Sequence, residues 1–358
     1  MVLAIHRTAL DRLYGAGAWT RTEIALDAYT TGLHDAGIPW SAIFLDDPRS
    51  MDLDLEPAEI GDAIQSIAIV RGEIERTQAD ALLLIGGPDV IPMPRVPNQL
   101  PTLVADLDTE IPTDNLYGCV AGDKATSPSV AIGRIGGAVE DGLDALLDQL
   151  DRARAYRAQA LAPDGALIVF NEMWGPASAA VAKRIPATPK GFVQTPDEVV
   201  SSSGQLQRSI LFFNLHGSRN DAGWFGTDSL GNTFRCMGPE VPSGGDLSGV
   251  LVFACNCYGC ALDGLASDRS IALAMVQAGV RGFVGATGYA FGATGAPGQF
   301  AFSEELARMF FDRLDSGHPA GIALCQARQA YAAARVRPDA NRAYKTAMQF
   351  ILLGDPLL

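Results

Sequence analysis

The sequence predicts an α/β protein in which parallel strands form a sheet with helices on both faces. Short continuous apolar runs, each closed by small or polar turn residues, are typical of strands buried on both faces. Stretches with helical spacing of apolar residues alternate with these runs along the chain. The 358 residues, 48% of them hydrophobic, can form a large two-part unit. We expect a smaller α/β subdomain at residues 1–160 and a second subdomain at 161–358.

The N-terminal part begins this alternation. Isoleucines at helical spacing predict a helix within residues 57–80, and the apolar run 81–85 predicts a buried strand. Residues 92–112 are rich in Pro, Asp and Asn and are expected to form a long loop. A short strand at 130–132 is followed by a helix whose leucines share one face.

The C-terminal part repeats the pattern with more strands. Apolar runs predict strands at 166–170, 211–215, 250–254 and 282–287. Helices are predicted at 270–278, 302–314 and 319–335. This order favours parallel strands with crossover helices packed on both sides.

Two of these strands end in residues suited to nucleophilic catalysis. The run 211–215 leads directly into His216, and the run 250–254 leads directly into Cys255. Open α/β sheets carry their sites at the carboxyl ends of strands. A cysteine and a histidine brought together there form the pair that thiol catalysis needs.

The residue types at these two ends fit the individual steps of acyl transfer. Cysteine attacks a carbonyl as its thiolate, and a neighbouring histidine can move the proton. Gly217 has no Cβ, so a substrate carbonyl can approach its backbone N–H. We expect the N–H groups of Gly217 and Cys255 to form an oxyanion hole.

Five segments, in this order, are similar to those of a known family. The strand–His–Gly and strand–Ala–Cys order resembles the caspase-like cysteine peptidases, and the fuller pattern resembles the gingipain family most. The segments are Thr113-Asp114-Asn115-Leu116-Tyr117-Gly118 followed by 130–135, His216-Gly217-Ser218 with Trp224, the strand and Ala254-Cys255, residues 282–287, and Leu353-Gly354-Asp355-Pro356. Together they cover roughly residues 80–358.

The resemblance implies both a fold and an activity. It implies a caspase-like three-layer (αβα) catalytic subdomain preceded by the smaller α/β subdomain. It also implies an endopeptidase that forms a thioester acyl-enzyme and cleaves after one selected residue, often Arg or Lys. Glu172, at a neighbouring strand end, matches an acidic residue that orients the histidine or lines the specificity pocket. Trp224, Thr287 and Tyr289 are then candidate walls of that pocket.

Three alternatives remain open at this point. Cys257 also lies in a segment that resembles a nucleophile segment, so it is the alternative nucleophile to Cys255. The Cys257-x-x-Cys260 spacing fits zinc, but a second close pair is missing and Cys236 would have to complete the set, so we expect no metal. A non-catalytic caspase-like binding or scaffold module is the alternative from a different functional class.

Charge and sequence patterns exclude several classes of binding partner and cofactor. The net charge is −14, from 27 Lys and Arg against 41 Asp and Glu, which argues against nucleic acid and anionic membranes as partners. Gly86-Gly87-Pro88 is not followed by the Lys-Ser/Thr of a phosphate loop, so no nucleotide cofactor is expected. The start of the chain lacks a secretory pattern, and cysteines in such a chain are typically reduced, so a cytoplasmic location is expected. The expected partner is a protein or peptide substrate, with activation by a further partner or ligand compatible with the resemblance.

Overall fold

The computed structural model describes residues 1–100, 106–158, 165–187, 189–195, 199–228, 230–293, 301–334 and 339–358. The predicted boundary between subdomains, near residue 160, lies outside the described residues, so the division stays a prediction. No helix in the part of the chain so described is long and apolar enough to cross a membrane.

The strands alternate with helices, as the periodicity predicts. The strands are β1 (Val2–Ile5), β2 (Ser41–Phe44), β3 (Ala81–Ile85), β4 (Arg95–Pro97), β5 (Glu110–Pro112), β6 (Ala131–Ile135), β7 (Ala166–Asn171), β8 (Pro189–Thr195), β9 (Ile210–Asn214), β10 (Trp224–Thr227), β11 (Thr233–Met237), β12 (Leu251–Ala254), β13 (Gly282–Ala286) and β14 (Phe350–Gly354). The helices are α1 (Arg7–Tyr14), α2 (Ala18–Asp35), α3 (Ala63–Thr77), α4 (Gly142–Ala158), α5 (Gly175–Ala182), α6 (Ser203–Leu206), α7 (Glu240–Ser243), α8 (Ile271–Gln277), α9 (Ser303–Asp315), α10 (Ala320–Ala333) and α11 (Ala340–Gln349).

One ten-stranded sheet runs through both predicted halves, in the order β2-β1-β3-β6-β14-β13-β12-β9-β7-β8. The pairs β1–β2, β1–β3 and β3–β6 are parallel, as are β13–β12, β12–β9, β9–β7 and β7–β8. Strand β14 runs antiparallel to β13 and parallel to β6, so the sheet consists of two parallel blocks of opposite direction. The expectation of parallel strands therefore holds within each block and is wrong at the β13–β14 pair, to which the chain returns through α9, α10 and α11.

Alternate residues of the central strands face two separate helical layers. Phe212 and Phe253 pack on one side with Phe310 of α9. Leu211 and Val252, their chain neighbours, pack on the other side with residues of α8. Strands buried on both faces by helices make three layers, which confirms the α/β three-layer prediction.

The segments that resemble family motifs in the N-terminal half are tied to each other by a buried ion pair. Arg134 is fully buried, and its guanidinium donates to both carboxylate oxygens of Asp114 at 2.6 and 3.0 Å. It also donates to the carbonyl oxygens of Gly86 and Ile91. Thr113 donates its hydroxyl to the Met348 carbonyl at 2.6 Å, close to the start of β14. These motif residues therefore connect β6, the loop after β3 and the start of β14.

Candidate active site

The register of β9 and β12 brings the segments that carry His216 and Cys257 near each other. Strands β9 and β12 are parallel neighbours, and Phe213 lies opposite Ala254 in their register. The next residues along the two chains are Asn214 and Cys255, and the Cys255 N–H donates to the Phe213 carbonyl at 2.8 Å. Neighbouring strands lie about 4.8 Å apart, so the segments that follow β9 and β12 start close together.

Backbone contacts at the two strand ends confirm this proximity. A Cβ on Gly217 would lie 1.8 Å from the Cys257 carbonyl oxygen, so only glycine fits at this position. The Leu215 N–H donates to the Asn256 side-chain oxygen at 3.0 Å. The close approach of Gly217 thus has a packing reason in addition to the catalytic one predicted from sequence.

Cys255, the first predicted nucleophile, points into the core. Its side chain is only 6% exposed and belongs to the apolar cluster between the sheet and α9. Burial, and then the nearby Glu304 carboxylate, raise the pKa of the Cys255 thiol well above its usual range. Its backbone N–H donates to the Phe213 carbonyl at 2.8 Å, so this N–H belongs to the sheet and does not form the predicted oxyanion hole. A buried thiol of this kind is typically unreactive.

Cys257 lies one step further along the same face and is partly exposed. Its thiol donates to the Ala290 carbonyl at 3.3 Å, and the Ala290 N–H approaches the sulfur at 3.4 Å. Burial raises the pKa of the thiol to about 11, so the resting cysteine is protonated at neutral pH. Unlike Cys255, Cys257 lines the cavity at this edge of the sheet.

That cavity has a volume of about 400 Å³ and carries charges of both signs. It is formed by the loops after β9 and β12, by the exit of β13, and by residues of β4 and β5. Its acidic members outnumber its basic ones and are Asp108, Glu110, Asp221 and Asp263, against Arg95, Arg219 and Arg269. Arg95 is paired with Asp263 and lies 4.0 Å from Glu110.

His216 is not among the described residues that line this cavity, whereas Ser218, two residues further on, is. Its imidazole packs against the Trp174 ring with centroids 4.6 Å apart, and its backbone pairs with Phe225 of β10 in both directions at 2.9 Å. Burial lowers the pKa of His216, so the imidazole is neutral at neutral pH. A neutral imidazole can accept a proton from a thiol.

The predicted pocket residues have different placements. Trp224 and Thr287 both line the cavity. Trp224 also packs between Phe213 and Phe283, while Thr287 donates its hydroxyl to the Pro112 carbonyl at 2.7 Å. Glu172 and Tyr289 are not among the described residues that line the cavity. Glu172 stands in the short 3-10 turn that carries Trp174, and Tyr289 is partly buried with its ring against Phe291.

Sequence reasoning missed three residues at this site. Trp174 contacts His216, and Tyr258 directly follows Cys257 in a left-handed backbone conformation with φ 54°. Asp108 comes from the N-terminal half and hydrogen bonds to Tyr258. Only Trp174 had a local signal, because it lies two residues after Glu172 at a strand end.

The zinc alternative has no support from the side-chain arrangement. Within the described ranges there is no group of three or more His, Cys, Asp or Glu side chains placed to hold a metal ion. Cys236 and Cys260 pack in the core on the α8 side of the sheet, whereas Cys255 and Cys257 pack on the α9 side.

A thiol and a histidine that follow neighbouring strands of a three-layer α/β sheet are the arrangement that the resemblance to caspase-like cysteine peptidases implies. Comparison with protein families makes the assignment specific. The chain belongs to peptidase family C25, the gingipain family, whose model matches residues 22–166 and 203–358. This confirms the resemblance that the motifs indicated.

Solved structures with a similar fold include one described as "Structure of Protease". It has a TM-score of 0.59 and 12% sequence identity, and the match covers 100% of this chain and 77% of that chain. Two structures of the Saccharomyces cerevisiae separase–securin complex match at 11% identity with TM-scores of 0.41 and 0.39. Those matches cover 63% of this chain and 14% of the other chain. No curated protein matches the sequence.

Proposed function

We propose that this protein is a cysteine endopeptidase in which Cys257 is the nucleophile and His216 moves the proton. The observation that carries the proposal is that Cys257 lines the cavity and its carbonyl lies against Gly217, the residue after His216, while Cys255 is buried in the core beside Glu304. The preference between the two cysteines is therefore the reverse of the one drawn from sequence. The substrate is a protein or peptide bound in the cavity beside Cys257.

The reaction follows from the protonation states of the two groups. The Cys257 sulfur attacks the peptide carbonyl carbon as His216 takes the thiol proton. His216 then gives this proton to the leaving amine, the C–N bond breaks, and a thioester forms. Water, deprotonated by His216, attacks the thioester, releases the carboxylic acid and returns the proton to the thiol. The N–H groups of Gly217 and Cys257 are the proposed donors to the oxyanion.

An affinity label tests the nucleophile directly. A peptide chloromethyl ketone, incubated with the folded protein and followed by peptide mapping, is expected to alkylate Cys257. Cys255 serves as the internal comparison within the same peptide. Alkylation of Cys255 alone, or of neither thiol, would contradict the assignment.

We propose cleavage after Arg or Lys, on the basis of the cavity's acidic groups. Asp221 is an exposed carboxylate in the lining, whose described hydrogen bond is local, from the Gly223 N–H at 2.7 Å. Asp221→Asn is expected to raise KM for an Arg substrate about tenfold, the scale of a lost charge-assisted contact. Glu172→Gln is the matched control, because Glu172 is not among the described lining residues. If Glu172→Gln has the larger effect, the specificity site lies at Glu172, as first expected.

One observation favours the alternative of a non-catalytic binding module. The pKa of Cys257 is raised to about 11, which does not favour a thiolate in the resting protein. A fluorogenic peptide screen with Arg, Lys, Asp and Asn at the cleavage position separates the two functions. Turnover that Cys257→Ala abolishes supports the peptidase, and no turnover with an unreactive Cys257 supports the binding module.

A further inference from the structure

The turn that follows Cys257 has a backbone conformation that tyrosine rarely adopts. Tyr258 has φ 54°, in the left-handed region. Residues other than glycine persist there only where surrounding contacts hold them, and such residues concentrate at functional sites. The contacts of Tyr258 therefore bear on how Cys257 is presented.

The Tyr258 hydroxyl contacts the carboxylate of Asp108, which comes from the N-terminal half. The Tyr258 hydroxyl donates to Asp108 Oδ1 at 2.8 Å, and the Tyr258 N–H donates to the Gly288 carbonyl at 2.8 Å. The second oxygen of Asp108 accepts the Tyr289 N–H at 2.8 Å. A Cβ on Gly288 would lie 2.7 Å from this oxygen, so the segment passes directly against it. Asp108 thus bonds to both chain segments that flank Cys257.

The second of these segments also touches the thiol itself. Ala290 directly follows Tyr289, and its N–H and carbonyl both contact the Cys257 sulfur, at 3.4 and 3.3 Å. A shift of Tyr289 would move these two partners. The position of the sulfur therefore depends on the bond between Tyr289 and Asp108.

Lys345 fixes the carboxylate in turn. Lys345 is fully buried on α11, and its ammonium donates to Asp108 at 2.8 Å and to Asp106 at 2.6 Å. Asp106 also accepts from Asn98, at 2.9 Å. Burial alone would raise the pKa of Asp108, but hydrogen bonds from Lys345, the Tyr289 N–H and Tyr258 lower it below its usual value. Asp108 is therefore an ionised acceptor at neutral pH.

We propose that Asp108, oriented by Lys345, is a positioning residue that holds the Tyr258 turn and the Tyr289–Ala290 segment around Cys257 and so sets the reactivity of its thiol. The carboxylate acts through these neighbours and not on the reacting atoms. The consequence for catalysis rests on the proposed function, whereas the consequence for thiol reactivity does not.

Tyr258→Phe is the sharpest test, because it removes one hydroxyl and keeps the ring. Misplacement of a nucleophile by about 1 Å can cost up to about 100-fold in rate, so we expect kcat to fall about 10- to 100-fold with KM changed less than about twofold. The alkylation rate of Cys257 by iodoacetamide, followed by mass spectrometry without substrate, should fall with kcat. Tyr156→Phe is the matched control. Tyr156 lies on α4, and its hydroxyl donates to the Gly279 carbonyl at 2.6 Å, so its removal should leave both rates unchanged.

Asp108→Asn provides the second variant, with the same readouts and a circular dichroism check of folding. If it does not fold, Tyr258→Phe decides alone. Wild-type alkylation of Cys257 and wild-type kcat in folded Tyr258→Phe would overturn the positioning role. A protein that cleaves no peptide, yet shows slower Cys257 alkylation in Tyr258→Phe, would support the positioning role while contradicting the proposed function.

Discussion

Two cysteines separated by a single residue have different environments at the end of β12. Both side chains pack against the apolar cluster on the α9 side of the sheet. Cys255 faces the buried Glu304 and Asn214, while Cys257 reaches the cavity. Glu304 accepts hydrogen bonds from Asn214 and from the Ala293 N–H, and burial raises its pKa to about 7. The buried group around Cys255 and Glu304 therefore belongs to the core, whereas Cys257 is accessible from the cavity.

This difference could not be read from the sequence. Both cysteines follow the same apolar run, and both segments resemble a nucleophile segment. What separates them is how far β12 extends beside β9, and what α9 places against its end, which are tertiary facts. His216 is singled out by one local pattern, an apolar strand followed by His-Gly, and its catalytic role stays a prediction. Asp108 could not be singled out in this way, because its partners are 150 or more residues away.

The lowered pKa of His216 predicts how kcat/KM depends on pH. Burial lowers the pKa of His216 below its usual value of 6.5, so the neutral form persists into weakly acidic solution. We expect kcat/KM to hold from neutral pH to below 6.5 and to decline as the pH falls through the lowered pKa of His216. An acidic limb with its midpoint above 6.5 would contradict the proton-acceptor role of this imidazole.

At the scale of elements, the periodicity located most strands and helices but not all their ends or directions. Helix α3 begins at Ala63 and not at Pro57, because the Asp62 side chain caps it by accepting from the Gln65 N–H. The predicted loop at 92–112 contains the hairpin of β4 and β5, while residues 101–105 lie outside the described residues. The antiparallel pairing of β14 with β13 is a tertiary contact that the pattern within a strand does not encode.

A substitution in the loop that joins β9 to β10 tests how closely this loop packs against the segment after β12. Gly217→Ala places a methyl group where the Cys257 carbonyl oxygen lies, so His216 and Cys257 must separate. We expect kcat/KM to fall by about 100-fold, from misplacement of the dyad. Peptide cleavage assays with a circular dichroism control measure this. Full activity in a folded Gly217→Ala protein would show that the loop and this segment are further apart than described.

At the scale of the whole molecule, one ten-stranded sheet contains strands from both predicted halves. Strand β14 lies between β6 and β13, and Asp355 just after it pairs with Arg157 and accepts from the Tyr29 hydroxyl. Because these contacts join the two halves, we expect unfolding in urea to be a single transition. Far-UV and near-UV circular dichroism should give coincident curves. Two separate transitions would show that the halves are independent domains.

Breaking the buried ion pair between Asp114 and Arg134 should cost more stability than breaking an exposed one. Asp114→Ala leaves the Arg134 guanidinium buried without its carboxylate, which typically costs about 3–5 kcal/mol. Asp151→Ala is the control, because its ion pair with Arg154 is exposed and is worth at most about 1 kcal/mol. Urea unfolding measures both. Equal losses in the two variants would mean that the Asp114–Arg134 pair is not buried as described.

The most direct test of the account compares two single substitutions in one assay. Cys257→Ala and Cys255→Ala are each purified, checked for folding, and assayed with an Arg-containing fluorogenic peptide. The account predicts that Cys257→Ala abolishes cleavage, whereas Cys255→Ala keeps most of it and loses about 1 kcal/mol of stability, as expected for a small loss of buried volume. Full cleavage by Cys257→Ala together with an inactive, folded Cys255→Ala would contradict it.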